Sequence, residues 1–327
     1  ALRWGCRGRG FKSHRPDHFS FLLTTPSKPL AKMEEKVNIG WLGTGVMGRH
    51  MAGHLLDSGH RLTVFTRTRS KADGLLARGA EWGSSPSEVA AGSEVIFTML
   101  GYPSDVEEVY CGKQGILEGC RPGSILVDMT TSSPELATRI SGQVRERSCE
   151  LIDAPVSGGD VGARNAKLAI MCGGDENSFG RILPLLRDMG ENIELFGPSG
   201  SGQRVKMSNQ ILIASTMVGT VEALLYAERA KLDLMRVIGL VGQGAAGCWS
   251  INQLGPRMVD GDWEPGFFVK HFVKDIGIAL EDSARLGLKL QGLELAREFY
   301  QRVVEEGFAD KGTQVLLKVL GKMNDRS

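Results

Sequence analysis

The sequence predicts an α/β protein with a doubly wound, mostly parallel sheet, followed by an all-helical second domain that a long helix joins to the first. Three observations support this prediction. A strand, a glycine-rich turn and a helix succeed one another within residues 37–55. Apolar runs then alternate with helical segments up to residue 196, as in a sheet covered on both faces. After about Gly200 the strand signal almost disappears.

The glycine-rich turn carries Gly43, Gly45 and Gly48 in the spacing G-x-G-x-x-G. The first glycine permits a sharp turn, the second lets a pyrophosphate approach the backbone, and the third lets the helix pack close to the sheet. The helix start adds unpaired N–H groups and the positive end of the helix dipole. Between a strand and a helix this spacing indicates a Rossmann dinucleotide-binding domain. A βα turn without a ligand is the alternative.

Six further apolar runs predict the later strands, at residues 62–65, 95–100, 125–128, 151–156, 168–171 and 193–196. From residue 205 to 231 apolar side chains recur in steps of three and four without a proline, which predicts one long helix. Shorter helices are predicted at about residues 233–241, 250–254, 270–286, 293–306 and 313–322. We therefore expect a dinucleotide-binding domain at residues 37–198, a helical substrate and dimerisation domain at 199–327, and a cleft between them.

The end of the second strand bears on which dinucleotide is bound. A domain specific for NAD usually has Asp or Glu there to bind the ribose 2′-hydroxyl. This chain has no acid at that point, and Arg67 and Thr68 could instead hold a 2′-phosphate. The prediction is therefore NAD or NADP, with NADP favoured. The alternative is that Arg67 only stacks on adenine and both cofactors bind.

Composition limits the function classes. Net charge is +1, which gives no overall field for nucleic acid or anionic lipid. The cysteines are scattered without a C-x-x-C pair, so neither a disulfide framework nor a zinc site is expected. The longest apolar stretch, residues 211–225, is interrupted by Glu222 and is too short to span a bilayer. We expect a small-molecule substrate and no nucleic acid or membrane partner.

A metal site on the first helix is the alternative that its histidines raise. His50, His54 and Asp57 lie at i, i+4 and i+7, a spacing that could bind zinc. No Glu follows His50, as it would in H-E-x-x-H, and Gly48 already assigns this helix to cofactor packing. No metal is predicted.

Residues 1–36 differ from the rest of the chain. They are rich in Arg, Lys, Ser and Thr, and Asp17 is the only acid before Glu34. This composition is typical of an organelle transit peptide and predicts a mitochondrial location. A plastid or cytoplasmic location and a disordered basic tail are the alternatives.

Two stretches have side chains suited to catalysis. Ser157, Gly158 and Gly159 follow a strand and offer a hydroxyl and exposed N–H groups, which suit a substrate carboxylate. Lys206 lies in the first turns of the long helix and shares a helix face with Asn209 and Gln210. A lysine in a closed cleft near a helix N-terminus should have a lowered pKa, useful for proton transfer.

Four motifs in order resemble the β-hydroxyacid dehydrogenase family, most closely 3-hydroxyisobutyrate dehydrogenases of the plant type. They are Ile39-Gly40-Trp41-Leu42-Gly43 with Val46-Met47-Gly48, the turn Asp153 to Gly159, the segment Gly200 to Gln210, and Phe272-Val273-Lys274-Asp275. Together they cover residues 37 to about 320. One departure is Ala166, where the family often has glycine.

The resemblance implies hydride transfer between NAD(P) and a small 3-hydroxy acid such as 3-hydroxyisobutyrate, in a homo-oligomer built through the helical domain. It implies catalysis by Lys206 with Asn209, and substrate binding by Ser157, Gly158, Gly159 and Gln210. The implied cofactor contacts are Gly43, Thr44, Gly45, Val46, Met47, Gly48, Arg67, Thr68, Leu100, Gly101, Asp105, Thr131, Lys274 and Asp275. A glyoxylate or succinic semialdehyde reductase using NADPH and a catalytically inactive dinucleotide-binding module are the alternatives.

Overall fold

The computed structural model describes residues 36–325. The predicted transit peptide therefore lies outside the described residues, except for Lys36. The described part contains a sheet-bearing half followed by a helical half, so the predicted fold class is confirmed.

The main sheet has six parallel strands in the order β3-β2-β1-β4-β5-β6. Their bounds are β1 Asn38–Leu42, β2 Arg61–Phe65, β3 Glu81–Trp82, β4 Val95–Thr98, β5 Ile125–Asp128 and β6 Glu150–Asp153. The strand order reverses between β1 and β4, and in such sheets ligands bind at the carboxyl ends of the strands at this point. The glycine-rich turn after β1 lies there.

A second sheet of three strands was not predicted as separate. It contains β7 Val156–Ser157, β8 Leu168–Cys172 and β9 Gly190–Leu195, with β7 antiparallel and β9 parallel to β8. The apolar run 151–156 was predicted as one strand, and the structure divides it at Ala154 and Pro155. Pro155 has no N–H to continue a ladder, and its carbonyl instead accepts from Met171 N across to β8.

The helices of the sheet-bearing half alternate with its strands. Their bounds are α1 Gly48–Asp57, a 3-10 turn Arg69–Ala72, α2 Asp73–Leu76, α3 Pro86–Ala91, α4 Pro103–Cys111, α5 Ile116–Gly119, α6 Pro134–Arg145, α7 Gly159–Arg164 and α8 Glu176–Arg187. The helical half follows with α9 Ser201–Arg229, α10 Leu234–Val241, a π turn Ser250–Leu254, α11 Gly255–Val259, α12 Val269–Arg285, α13 Gln291–Glu305, a 3-10 turn Thr313–Val315 and α14 Leu316–Asn324.

Apolar cores lie on the two faces of the main sheet and among the helices. One face is centred on Trp41 and Phe97, whose stacked rings are 5.5 Å apart. The helical core is centred on Phe272 and Tyr300, which meet edge to face at 4.8 Å. The predicted domain boundary at residue 198 falls in the turn between β9 and α9, and it stays a prediction.

Helix α9 is longer than its sequence pattern indicated at its N-terminal end. With 29 residues it is long and apolar enough, by length and composition alone, to cross a membrane, a test that core helices also pass. The length argument made from residues 211–225 is therefore wrong for the helix as a whole. One side of α9 is buried and packs against α12, α13 and α14, as in a core helix.

Ala166, the departure from the resembled motifs that was named above, has a left-handed backbone with φ +54°. Alanine pays a steric cost in this conformation that glycine does not. We expect Ala166→Gly to raise the free energy of unfolding by up to about 1 kcal/mol, after the entropic cost of glycine. Denaturant unfolding measures this. Ala77→Gly is the matched control, because φ is −62° there; it should be destabilising, and equal effects at the two sites would contradict the strain argument.

Candidate active site

The three glycines of the turn after β1 have different surroundings. Gly43 has φ +99°, and a Cβ there would lie 2.3 Å from the Met99 carbonyl oxygen. A Cβ at Gly48 would lie 2.0 Å from the Gly43 carbonyl oxygen, so glycine is what lets α1 start so close to the strand. Apart from its own chain neighbours, a Cβ at Gly45 would meet no described atom within 4 Å. The turn therefore packs tightly against the protein at Gly43 and Gly48 and has free space for a ligand at Gly45.

The residues around Gly45 fit a dinucleotide pyrophosphate. Thr44 Oγ1 is buried and has no hydrogen-bond partner within residues 36–325. Helix α1 starts without a side-chain cap. Arg49 N and His50 N already donate to the carbonyl oxygens of Gly45 and Met47, so in the first turn of the described helix the N–H of Gly48 is left for an anion. Val46 is exposed and Met47 half-buried beside them. Because open space, an unpaired hydroxyl and an uncapped helix start coincide, the six predicted residues from Gly43 to Gly48 form one cradle.

Arg67 extends from the end of β2 to the start of α4, on the opposite side of β1. Its Nη1 lies 3.0 Å from Asp105 Oδ1, and Asp105 Oδ2 accepts from Tyr102 N at 3.1 Å. The Arg67 side chain is 76% exposed, so the guanidinium remains reachable from solvent. Thr68 follows it, just before the 3-10 turn.

The loops after β4 and β5 meet beside this cradle. Leu100 N donates to Thr130 Oγ1 at 2.9 Å, and Gly101 lies close to Asp105 and to His271 of α12. The rings of Tyr102 and His271 are 5.2 Å apart. The loop after β4 therefore contacts the helical half of the chain at the predicted cofactor positions.

The predicted catalytic lysine and the predicted substrate turn lie side by side. Ser157 Oγ donates to Asn209 Oδ1 at 3.3 Å, which joins the end of β7 to α9. Lys206 lies one turn before Asn209 on the same face of the helix, and only 6% of it is exposed. Gly158 has φ +131°, a conformation that glycine adopts readily and other residues do not, and Gly159 has φ +61°, in the left-handed region that favours glycine.

From Asn209 a chain of polar contacts continues into α12 and back to the sheet. Asn209 Nδ2 donates to Gln210 Oε1 at 2.7 Å, and Gln210 Nε2 donates to Asp275 Oδ2 at 2.6 Å. Lys274 Nζ lies 3.0 Å from Asp275 Oδ1 and donates to the Thr131 carbonyl oxygen at 2.6 Å. Residues predicted from three separate motifs are thus connected in one network.

Burial dominates the charge states of the site. It lowers the pKa of Lys206 to about 8; the Asp275 carboxylate opposes this shift and the Lys274 ammonium adds to it. Burial also raises the pKa of Asp128 and of Asp153 to about 6, against the hydrogen bonds that each carboxylate accepts. A lysine with this pKa is poised between its acid and base forms near neutral pH.

The sequence did not single out Gln203, and it placed Asp153 only within a motif. Asp153 accepts from Gly200 N at 2.7 Å and from Gln203 N at 2.9 Å, and so caps α9. The sequence does show an acidic residue at the end of an apolar strand, which could have drawn attention to Asp153. Asp128 has the same position at the end of β5. Gln203 gave no signal, because its buried partners are backbone groups of a distant loop.

Two residues of the alternative zinc site on α1, His54 and Asp57, have other partners. His54 Nε2 lies 2.9 Å from the Ala163 carbonyl oxygen, and Asp57 pairs with Arg78. Within the part of the chain that the structure describes, no group of three metal-ligating side chains is found.

Comparison with known proteins agrees with this architecture. Residues 38–197 match the family described as the NAD binding domain of 6-phosphogluconate dehydrogenase, and residues 200–320 match the one described as NAD-binding of NADP-dependent 3-hydroxyisobutyrate dehydrogenase. "Probable 3-hydroxyisobutyrate dehydrogenase-like 1, mitochondrial" of Arabidopsis thaliana is 50% identical over 88% of this chain and 86% of its own. The 2-hydroxy-3-oxopropionate reductase of Escherichia coli is 36% identical over 88% and 98%.

Among solved structures, Mycobacterium tuberculosis 3-hydroxyisobutyrate dehydrogenase with L-serine superposes with a TM-score of 0.80 at 28% identity, covering 88% of this chain and 99% of the other. The matches thus extend over both halves of the described chain. The chain belongs to the 3-hydroxyisobutyrate dehydrogenase-like branch of the β-hydroxyacid dehydrogenases, which are NAD(P)-dependent oxidoreductases.

Proposed function

We propose that this protein transfers a hydride between NAD(P) and a small 3-hydroxy acid, with 3-hydroxyisobutyrate as the leading candidate. The observation that carries the proposal is the hydrogen bond between Ser157 and Asn209, because it brings the hydroxyl-and-glycine turn beside the helix face of Lys206. L-Serine, present with the Mycobacterium tuberculosis relative, is itself a small 3-hydroxy acid and supports this substrate class.

Lys206 is the proposed acid and base. In oxidation its neutral amine takes the proton of the substrate hydroxyl, and in reduction its ammonium returns a proton to the carbonyl oxygen. Asn209 and Gln210 orient the substrate beside it. Ser157 and the N–H groups of Gly158 and Gly159 hold the substrate carboxylate.

The bound nicotinamide supplies the hydride acceptor or donor. The cradle Gly43 to Gly48 would hold the pyrophosphate, and Leu100, Gly101, Asp105 and Thr131 would line the path to the nicotinamide. Lys274 and Asp275 would orient it, since their contacts tie α12 to the loop of Thr131.

A reductase of glyoxylate or succinic semialdehyde that uses NADPH is the second candidate. The similarity to the Escherichia coli reductase and the exposed Arg67 favour it. Initial rates of the purified protein on 3-hydroxyisobutyrate, L-serine, glyoxylate and succinic semialdehyde, each with both cofactors, distinguish the two. Dinucleotide binding without turnover on the whole panel would support the inactive module instead.

We propose a preference for NADP over NAD that depends on Arg67. In Arg67→Ala a 2′-phosphate would lose the cation proposed to bind it, so KM for NADPH should rise about tenfold, equivalent to 1.4 kcal/mol, with little change for NADH. Arg69→Ala is the matched control, because Arg69 is engaged over the Trp82 ring at 5.3 Å. A wild-type preference for NADH, or equal effects of Arg67→Ala on both cofactors, would contradict the assignment.

We also propose a mitochondrial location, which the plant relative supports. The proposed boundary between the two domains lies between residues 198 and 199.

We further propose a homo-oligomer formed through the helical half. Leu212 and Tyr226 are 67% and 76% exposed on the outer side of α9, which supports an oligomer interface there. Light scattering on the purified protein measures the oligomer size.

A further inference from the structure

We propose that Asp153 is a positioning residue for Lys206: its carboxylate fixes the start of α9, and therefore the lysine, against the strand that leads to Ser157. The inference rests on the proposed role of Lys206 in proton transfer. Asp153 is the last residue of β6 and is completely buried.

The carboxylate binds the start of α9 with both oxygens. Oδ1 accepts from Gly200 N at 2.7 Å, and Oδ2 accepts from Gln203 N at 2.9 Å. The first N–H groups of a helix have no partner within the helix, and the residue just before the helix commonly supplies one. Here the acceptor comes from 47 positions earlier, on a strand of the main sheet. These bonds therefore anchor α9 to the sheet instead of to its own loop.

The backbone fit leaves the helix start no room to shift towards the sheet. A Cβ at Gly202 would lie 2.3 Å from the Met171 carbonyl oxygen and 2.7 Å from that of Asp153. Gly200, at φ +91°, also packs closely on α6, because a Cβ there would lie 2.9 Å from the Pro134 carbonyl oxygen. Movement towards the strands would clash, and movement away would break the Asp153 bonds.

Gln203 fixes the rotation of the same turn. Its side chain is completely buried, accepts from Ser132 N at 2.9 Å and donates to the Thr130 carbonyl oxygen at 2.8 Å. Lys206 follows three residues later on the same side of the helix. The turn that precedes the lysine is thus attached to the ends of both β5 and β6.

The backbone of Asp153 and of the residue after it is also hydrogen-bonded to neighbouring strands, on the way to the substrate turn. Its backbone N donates to the Gly173 carbonyl oxygen at 3.0 Å, and the next residue, Ala154, donates to that of Asp128 at 2.7 Å. Ser157 follows four residues after Asp153. The Asp153 side chain therefore joins the strand that leads to the substrate turn to the start of the helix that carries the lysine. A 1 Å error in the distance between turn and lysine can cost about a hundredfold in rate.

Asp153→Asn tests the proposal at nearly constant volume. The amide can accept from only one of the two N–H groups and turns its own NH₂ towards the other. We expect kcat to fall at least about tenfold, with KM for the cofactor within about twofold because the cradle is remote from the change. The pH at which Lys206 loses its proton should rise from about 8, since a displaced lysine is less buried.

The pKa of Lys206 is read independently of turnover, from the pH dependence of its labelling by an amine reagent, measured by mass spectrometry. Asp275 and Lys274 are the charged groups that act on it, and both stay in place in the variant. Gln203→Met removes the second attachment without touching Asp153 and should shift kcat and the labelling profile in the same directions. If Asp153→Asn does not fold, Gln203→Met alone tests whether the attachment of α9 positions Lys206.

Asp175→Asn is the matched control, because Asp175 caps α8 by accepting from Ser178 N at 2.8 Å, outside the site. It should lower Tm without altering kcat or the labelling profile. The positioning role is overturned if Asp153→Asn behaves like this control. Wild-type protein without turnover on the substrate panel would overturn the proposed function, and the inference with it; active wild type with an unaltered Asp153→Asn overturns the inference alone.

Discussion

Lys206→Ala is expected to lose at least about a hundredfold in kcat, the usual contribution of a positioned acid or base. Affinity for the cofactor should persist, because the cradle after β1 contains no contact with this side chain. Substrate titrations and fluorescence titration of NADPH measure the two quantities separately. Lys289→Ala, an exposed lysine on the helical half, serves as the control. If Lys206→Ala kept the kcat of the wild-type protein, Lys206 would not be the acid and base.

The same residue predicts opposite pH profiles for the two directions. Burial disfavours the ammonium and sets the pKa of Lys206 at about 8. Oxidation needs the neutral amine, so its rate should rise with pH and level off above that value. Reduction needs the ammonium, so its rate should be highest below pH 8 and fall above it. Identical profiles in the two directions would show that another group transfers the proton.

Gly45→Val should abolish tight cofactor binding in a protein that still folds. Apart from its own chain neighbours, no described atom lies within 4 Å of a Cβ at this position, so the larger side chain extends into the space assigned to the pyrophosphate. We expect Kd for both cofactors to rise at least about tenfold, which corresponds to 1.4 kcal/mol, with Tm almost unchanged. Calorimetric titration and thermal unfolding provide the two measurements.

Gly48→Ala is the matched comparison for Gly45→Val. Its Cβ would lie 2.0 Å from the Gly43 carbonyl oxygen, so the backbone must move, and overpacking of this kind costs about 1–3 kcal/mol of stability. Loss of binding in Gly48→Ala should therefore come with a lower Tm. If Gly45→Val left the affinity intact, the pyrophosphate would not lie where the glycine spacing indicates.

The sequence predicted the fold where local patterns determine it. Strand and helix periodicity located most elements, and α9 was missed only at its first turn, where the left-handed Gly200 caps the helix. The second sheet was missed because its separation depends on Pro155 and on pairing with a distant strand. Such pairings leave no periodic signal in one sequence.

Sequence reasoning about the site was limited in a similar way. Local spacing put Lys206, Asn209 and Gln210 on one helix face, and the resemblance supplied Lys274 and Asp275. Neither could show that Gln210 and Asp275 bond directly, because 65 positions separate them. The pairing of Arg67 with Asp105 was hidden for the same reason, although both residues had been selected.

The polar network from Ser157 through Asn209, Gln210, Asp275 and Lys274 to Thr131 bears on the evolution of this protein. Free energies of substitution do not add for residues that share such a network. A change that is harmful alone can become neutral once a neighbour has changed, so the order in which mutations arise decides which of them survive. New substrate preferences in this lineage should therefore have been acquired by paired exchanges along the network more readily than by single replacements.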